Sequence, residues 1–222
     1  MKLSTGEHAL LLDGAWFGSL PASLQDRIIA DSELRTYRKG EVMIRENDPG
    51  TGMGAVLEGQ VHLTRRVGAA RDALVDVGHV GIWFGLYGTL TGGGESIGGL
   101  VAATPVRALF LPLAAFERIV ADEPRHYRLF ASILMQRFAQ LYRYLAEAKG
   151  ASPEDRLCGR LLELANAGNV DARPRGTVDV AVSQLELAKL LGLSRQTVSA
   201  LLSRLAARGL VEVGFRNIRL LV

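Results

Sequence analysis

The chain has 222 residues, 48% of them hydrophobic, which is enough for two modest cores and excludes a disordered polypeptide. No apolar run approaches the roughly 18 residues of a membrane span, and Leu10 to Leu12 is too short for a signal peptide, so a cytoplasmic protein without membrane contact is expected. Residues 1–149 hold 16 Lys and Arg against 16 Asp and Glu, whereas residues 150–222 hold 10 against 7; the whole excess behind the net charge of +3 sits at the C-terminal end, where it suits phosphate contact.

Residues 14–36 read as one or two opening helices, with Leu20-Pro21 starting LPASLQDRIIA. From Tyr37 the period changes. EVMIRE, GAVLEGQVHLTRRV, DALVDVG, IWFGLYG, GGLVAA and PVRALFLPL are short apolar segments separated by turns such as Gly59 and Gly81, the pattern of a β-sandwich or barrel. His79, in a Gly-His-Val turn, reads as a solvated loop residue. Gly88 to Gly99, GTLTGGGESIGG, is a loop that either approaches a ligand closely or is mobile.

Near Leu113 the period becomes helical, with Leu113, Phe116, Ile119 and Val120 on one side. After Pro124 a longer helix is predicted over about residues 125–149. Tyr127, Leu134 and Leu141 recur every seven residues, as do Ala131, Phe138 and Leu145. This a/d seam predicts contact between two copies of the chain; the competing arrangement packs the stripe on the chain's own barrel. Of the two arrangements, contact between two copies is favoured.

Ala151 to Asp155 reads as a hinge and helix restart: Ser152 can cap, Pro153 fits the first helical position, and Glu154 and Asp155 suit the N-terminal dipole. RLCGRLLELANAG continues the helix. Cys158 within it reads as a buried small hydrophobe and, being alone, excludes a disulfide or a cysteine cluster. Val178 to Val182 is a short strand. Then SQLELAKLLGLSRQTVSALLSRLAARG, Ser183 to Gly209, reads as two helices joined by a tight turn. Ser183 and Glu186 form an S-x-x-E capping box, Gly192 makes the turn, and Ser194 caps the second helix. Val198, Leu201, Leu202 and Leu205 share an inward face. Arg195, Gln196, Ser199 and Ala200 are left on the outer face of the first turns, where a recognition helix meets base edges in the major groove. Leu210 to Val213 and Ile218 to Leu221 flank Gly214 to Asn217, a hairpin wing with Arg216 and Arg219 near its tip.

In this order the elements resemble the cyclic-AMP receptor protein/FNR (Crp/Fnr) superfamily of bacterial transcription regulators. The residues that carry the resemblance are YRKGEVMIRENDPG (37–50), LEGQVHL (57–63), FGLYG (84–88), EDRLCGRLLELA (154–165) and VSQLELAKLLGLSRQTVSALLSRLAARGLVEV (182–213). The resemblance implies an α+β chain: a cupin-like β-roll of the cyclic-nucleotide-binding type over residues 1–122, a dimerisation helix over 123–149, and a winged helix-turn-helix over 150–222. It implies a homodimer on a two-fold-symmetric double-stranded site, half-site centres about one helical turn apart, and contact with RNA polymerase. The DNA-binding residues are then Ser183, Gln184, Ser194, Arg195, Gln196, Thr197, Ser199, Ala200 and Arg204, with Arg216 from the wing. Many relatives carry Glu where this chain has Gln196 and Arg where it has Ala200.

Members that bind cyclic AMP use a cassette in which Phe-Gly-Glu precedes Arg-Ser/Thr-Ala; the Glu accepts from the ribose and the Arg neutralises the phosphate. Here Phe84-Gly85 is followed by Leu86, and counting on without a gap puts Ser96 and Ile97 in the Arg and Ser/Thr positions. A phosphate there would be buried without a cation, so cyclic AMP is not expected. Trp83, Phe84, Gly85, Leu86, Tyr87, Ser96 and Ile97 either line a more apolar effector pocket or serve as barrel core. Haem would have to fall to His79 or His8, iron–sulfur chemistry has only Cys158, and His8, His62, His79 and His126 show no metal-ligand pairing, so no cofactor is expected. A second reading is a cupin-type small-molecule-binding barrel or metal-dependent enzyme. It needs clustered histidines and carboxylates, and Gly92-Gly93-Gly94 lacks the Lys-Ser/Thr of a P-loop; an enzyme is not expected.

Overall fold

A computed structural model describes residues 3–68, 71–166 and 176–221. The chain opens with α1 (Thr5–Asp13), whose capping box pairs Ser4 with Glu7, followed by a 3₁₀ turn at Phe17–Ser19 and α2 (Ala22–Asp31). The opening helical segment predicted over residues 14–36 is therefore preceded by a further helix, and it ends early, because β1 (Glu33–Tyr37) begins inside it.

Two antiparallel four-stranded sheets follow. One has the order β1, β8 (Val106–Pro112), β3 (Gly52–Glu58), β6 (Trp83–Phe84); the other β2 (Val42–Ile44), β7 (Gly99–Ala102), β4 (Val61–Val67), β5 (Arg71–Gly78). Val56, Phe84, Ala108 and Phe110 point between the sheets and meet Val61, Leu100 and Ala102 from the other side. The alternate residues Met53, Ala55, Leu109 and Leu111 pack outward against α1, α2, α4 (Leu113–Asp122) and α5 (His126–Gly150). A strand covered on both faces has no polar side, which explains the unbroken apolar runs in β3 and β8.

The segment IWFGLYG is not one strand. β6 stops at Phe84, and Gly85, at φ +73°, turns the chain into α3 (Leu86–Leu90). A Cβ on Gly85 would sit 2.3 Å from the Gly52 carbonyl oxygen, and one on Gly88 would sit 2.7 Å from Gly50 Cα. Gly88, which opens the GTLTGGGESIGG stretch, thus serves close backbone packing, and together with Gly98 and Gly99 at the far end it borders a cavity.

Aromatic packing fixes the first half of α5 to the β-roll. Trp16 donates its indole N–H to the Leu129 carbonyl at 2.7 Å, Phe17 stacks on Trp83, and Phe116 meets Phe130 edge-on at 4.9 Å. Satisfying the indole lets a large ring be buried without leaving a donor unpaired.

After α5, Ser152 caps α6 (Pro153–Ala165) by accepting from the Asp155 N–H. The end of the segment predicted as helix, residues 167 and 168, lies outside the described residues. β9 (Thr177–Val180), α7 (Gln184–Leu191), α8 (Arg195–Ala207), β10 (Val211–Gly214) and β11 (Asn217–Leu221) complete the chain, with a three-stranded sheet in the order β10, β11, β9. Leu157, Leu161, Leu187, Val198, Leu202, Leu205 and Ile218 form its core. Cys158 is half-buried beside this core, and burial pushes its thiol pKa up. Val77 of β5, on the β-roll, is buried in the same cluster.

Candidate nucleic-acid interface and ligand cavity

The geometry of α7 and α8 follows from local signals. Ser183 Oγ accepts from the Glu186 N–H at 3.2 Å, and the Ser183 N–H donates back to Glu186 Oε2 at 2.7 Å. Gly192 takes φ +64° at the turn, and Ser194 accepts from the Thr197 N–H at 3.0 Å. Ala188 and Val198 are buried at the crossing. Ser194, Arg195, Gln196, Thr197 and Ala200 are exposed at the start of α8, with Ser199 half-buried.

Of the other expected contact residues, Ser183, Arg204 and Arg216 have partners within the chain. The Ser183 hydroxyl also donates to Glu186, and Gln184 is half-buried. Arg204 and Arg208 sit 3.8 Å and 2.5 Å from Glu154 at the start of α6. Arg216 occupies the left-handed region on the wing's turn, 3.9 Å from Glu186. Phe215 beside it is 94% exposed and was not anticipated, although an aromatic at a hairpin tip is visible in the sequence.

The C-terminal region rests on the β-roll through contacts that local sequence does not signal. Glu186 Oε1 lies 2.8 Å from His62 Nε2 on β4. Burial alone would raise the Glu186 carboxyl, but hydrogen bonds from His62 and Ser183, with the His62 charge, hold it down at about 2. The Ala181 carbonyl accepts from the Gln60 amide at 2.7 Å, and His79 Nε2 lies 2.9 Å from the same oxygen. His79 is therefore an inter-element contact and not the solvated loop residue expected, because β5 carries the turn that holds it against the segment before α7.

A second set of contacts joins β5, α5 and α6. Arg160, 5% exposed, donates to Asp76 of β5 and to the Tyr144 hydroxyl of α5. Glu163 Oε2 lies 3.5 Å from Arg160 Nη1 but completes no hydrogen bond among the described residues. Burial pushes the Glu163 carboxyl up to about 7; Glu147 and Asp76 add to this, and Arg160 and Arg143 oppose it. The folded chain thus holds a proton that the unfolded chain, with an ordinary value of 4.5, has already released. Stability from this group falls as pH rises between those two values. Thermal melts at about pH 5 and about pH 8 are expected to show a decline that is smaller in Glu163→Gln. An equal decline in both proteins would show that Glu163 does not carry it.

Between the second sheet, α3 and α5 lies a cavity of about 680 Å³. All seven anticipated residues border it, from Trp83 through Tyr87 together with Ser96 and Ile97. Trp83 and Phe84 are also buried core, while Tyr87 and Ile97 are exposed. Leu86 is buried and has no hydrogen-bonding side chain to offer a ribose. Among the described residues, no group of three His, Cys, Asp or Glu is placed to hold a metal ion.

Helix α5 divides the predicted seam. Tyr127 donates its hydroxyl to the Leu90 carbonyl at 2.7 Å, Leu134 packs against the chain's own core, and Ala131 is half-buried. Phe138 is 61% exposed, and Leu141 and Leu145 are each 54% exposed. Met135 and Tyr142, outside the heptad count, extend the same apolar surface. They are themselves seven residues apart, one position after Leu134 and Leu141, so a seam restricted to two positions per heptad leaves them out.

Residues 34–123 match the cyclic nucleotide-binding domain family, and residues 155–221 match the Crp-like helix-turn-helix domain family. The CRP-like cAMP-activated global transcriptional regulator of Mycobacterium tuberculosis is 24% identical over 82% of this chain and 81% of its own length. The global nitrogen regulator of a Nostoc species is 25% identical, covering 83% of each. A solved transcriptional regulator of the CRP/FNR family from Thermus thermophilus superposes with a TM-score of 0.63 at 27% identity, covering 86% of this chain and 94% of that one. No helix among the described residues is long and apolar enough to cross a membrane.

Proposed function

This chain belongs to the Crp/Fnr superfamily of DNA-binding transcription regulators, and from that premise we propose that it acts as a homodimer whose two recognition helices read a two-fold-symmetric site under control of a ligand other than cyclic AMP. The observation that carries this reading is the exposed start of α8, Arg195, Gln196 and Ala200, on a helix otherwise locked into its own core. In this reading residues 1–122 sense, 123–149 dimerise and 150–222 bind DNA. Ser194 and Thr197 approach phosphates, and Arg204 and Arg216 supply backbone charge once released from Glu154 and Glu186. The protein works in the cytoplasm and touches RNA polymerase when bound; no catalytic role is proposed.

The effector part rests on Leu86, buried where a ribose acceptor would stand, and on Ser96 and Ile97 at the positions that would meet the phosphate. Selection of bound DNA from a random pool, with and without cell extract, tests both parts. A palindromic site is expected, enriched more strongly with extract. Calorimetry with cyclic AMP alone should show no heat of binding; micromolar affinity would overturn the effector assignment, and a selected site without two-fold symmetry would overturn the dimer.

A further inference from the structure

We propose that the cavity between the β-roll and α5 binds an apolar small molecule bearing a single carboxylate, and that Arg137 is the residue that pairs with it. The inference rests on the reading of this cavity as the effector site and names what the site selects.

Arg137 borders the cavity from α5. It donates from Nη1 to Gln140 Oε1 at 3.1 Å, a neutral acceptor, and no carboxylate of the described residues lies within ion-pair distance of it. The nearby acid, Asp76, borders the same cavity but is taken by Arg160. Burial lowers the Arg137 pKa, with Arg160 adding and Asp76 opposing, as for a cation short of compensation. A guanidinium presents five N–H donors in a planar fork that fits a carboxylate with two parallel bonds, and one amide oxygen leaves most of them unused.

The rest of the wall decides the body and the charge. Ile44, Leu63, Val75, Ile82 and Leu86 make it apolar, so a sugar or base edge would lose its hydrogen bonds there. The other cation on the wall, Arg65, is occupied: it donates to the Ile97 carbonyl and lies 3.8 Å from Glu46. With one uncommitted cation and Asp76 close by, a second negative charge would be repelled. The volume of about 680 Å³ falls in the range of small-molecule sites.

The same residues give the ligand a route to the C-terminal region. Gln140 donates to the Tyr144 hydroxyl at 2.8 Å, and that hydroxyl accepts from Arg160 of α6. A carboxylate that draws Arg137 away from Gln140 therefore loosens a chain of hydrogen bonds ending on Asp76.

Calorimetry on the full-length protein with octanoate, decanoate and 4-phenylbutyrate, each against its matching alcohol, tests the assignment. At least one acid is expected to bind at least about tenfold tighter than its alcohol in the wild type. That preference should vanish in Arg137→Gln and return in part in Arg137→Lys, with the melting temperature of both variants held near wild type. An acid and its alcohol binding equally, with Arg137→Gln unchanged, would overturn the carboxylate assignment and leave the effector site standing. Binding of neither acids nor alcohols to any of the three proteins would overturn both.

Discussion

Replacing Phe138 and Leu141 together by aspartate is expected to give a monomer in sedimentation velocity and to weaken binding to the selected palindrome by about 10²–10⁴-fold. Both side chains lie on α5 with more than half their surface exposed in the single chain, so the substitution costs the protomer little. In a dimer they would be desolvated, and a pair of carboxylates from each chain in an apolar seam is opposed by burial and mutual repulsion alike. The loss in DNA affinity follows from linkage: the second half-site is held at high effective concentration only while the two chains remain joined. Leu134 is the wrong choice for this test, because it packs against the chain's own core and its loss would be read as unfolding. A stable dimer in the double variant would move the interface elsewhere.

Arg195→Ala is expected to lose specific binding, and with it the preference for guanine at one position of each half-site, while leaving weak, salt-sensitive binding. Arg195 is exposed in the first turn of α8, and an arginine there suits the O6 and N7 acceptors of guanine; each such pair is worth about 1–3 kcal/mol, felt once per half-site. Gln196 can pair with adenine N6 and N7, so Gln196→Glu should shift one position towards cytosine, whose N4 donates to a carboxylate. Ala200 offers no hydrogen bond and can touch only a thymine methyl. Sites selected with wild type and with Gln196→Glu should therefore differ at that position. Identical sites would mean that Gln196 does not face a base.

The helix-turn-helix was legible because every signal for it is local: Ser183 with Glu186, Gly192, and Ser194 with Thr197 act within three or four residues. The β-roll strands were legible from alternating apolar segments and turns. α1 carried an equally local signal, the capping box of Ser4 and Glu7, which a reading that began at residue 14 passed over. α3 was hidden for a different reason. Its five residues have no periodicity to detect, and they are helical because Gly85 and Gly88 must fit against Gly52, at the start of β3, and Gly50 just before it. The joints between β-roll and C-terminal region were out of reach altogether. His62 and Glu186 are 124 residues apart, and Asp76 and Arg160 are 84 apart, so nothing in either neighbourhood marks the partner.

β5 lies at the edge of its sheet, and α7 packs against it, with Val77 buried in the C-terminal core. An uncovered edge presents a row of unpaired N–H and C=O groups that can recruit another chain's strand. The C-terminal region covers Val77, so any state in which it lifts away exposes an apolar side chain on an edge strand. Such a state is self-associating by nature.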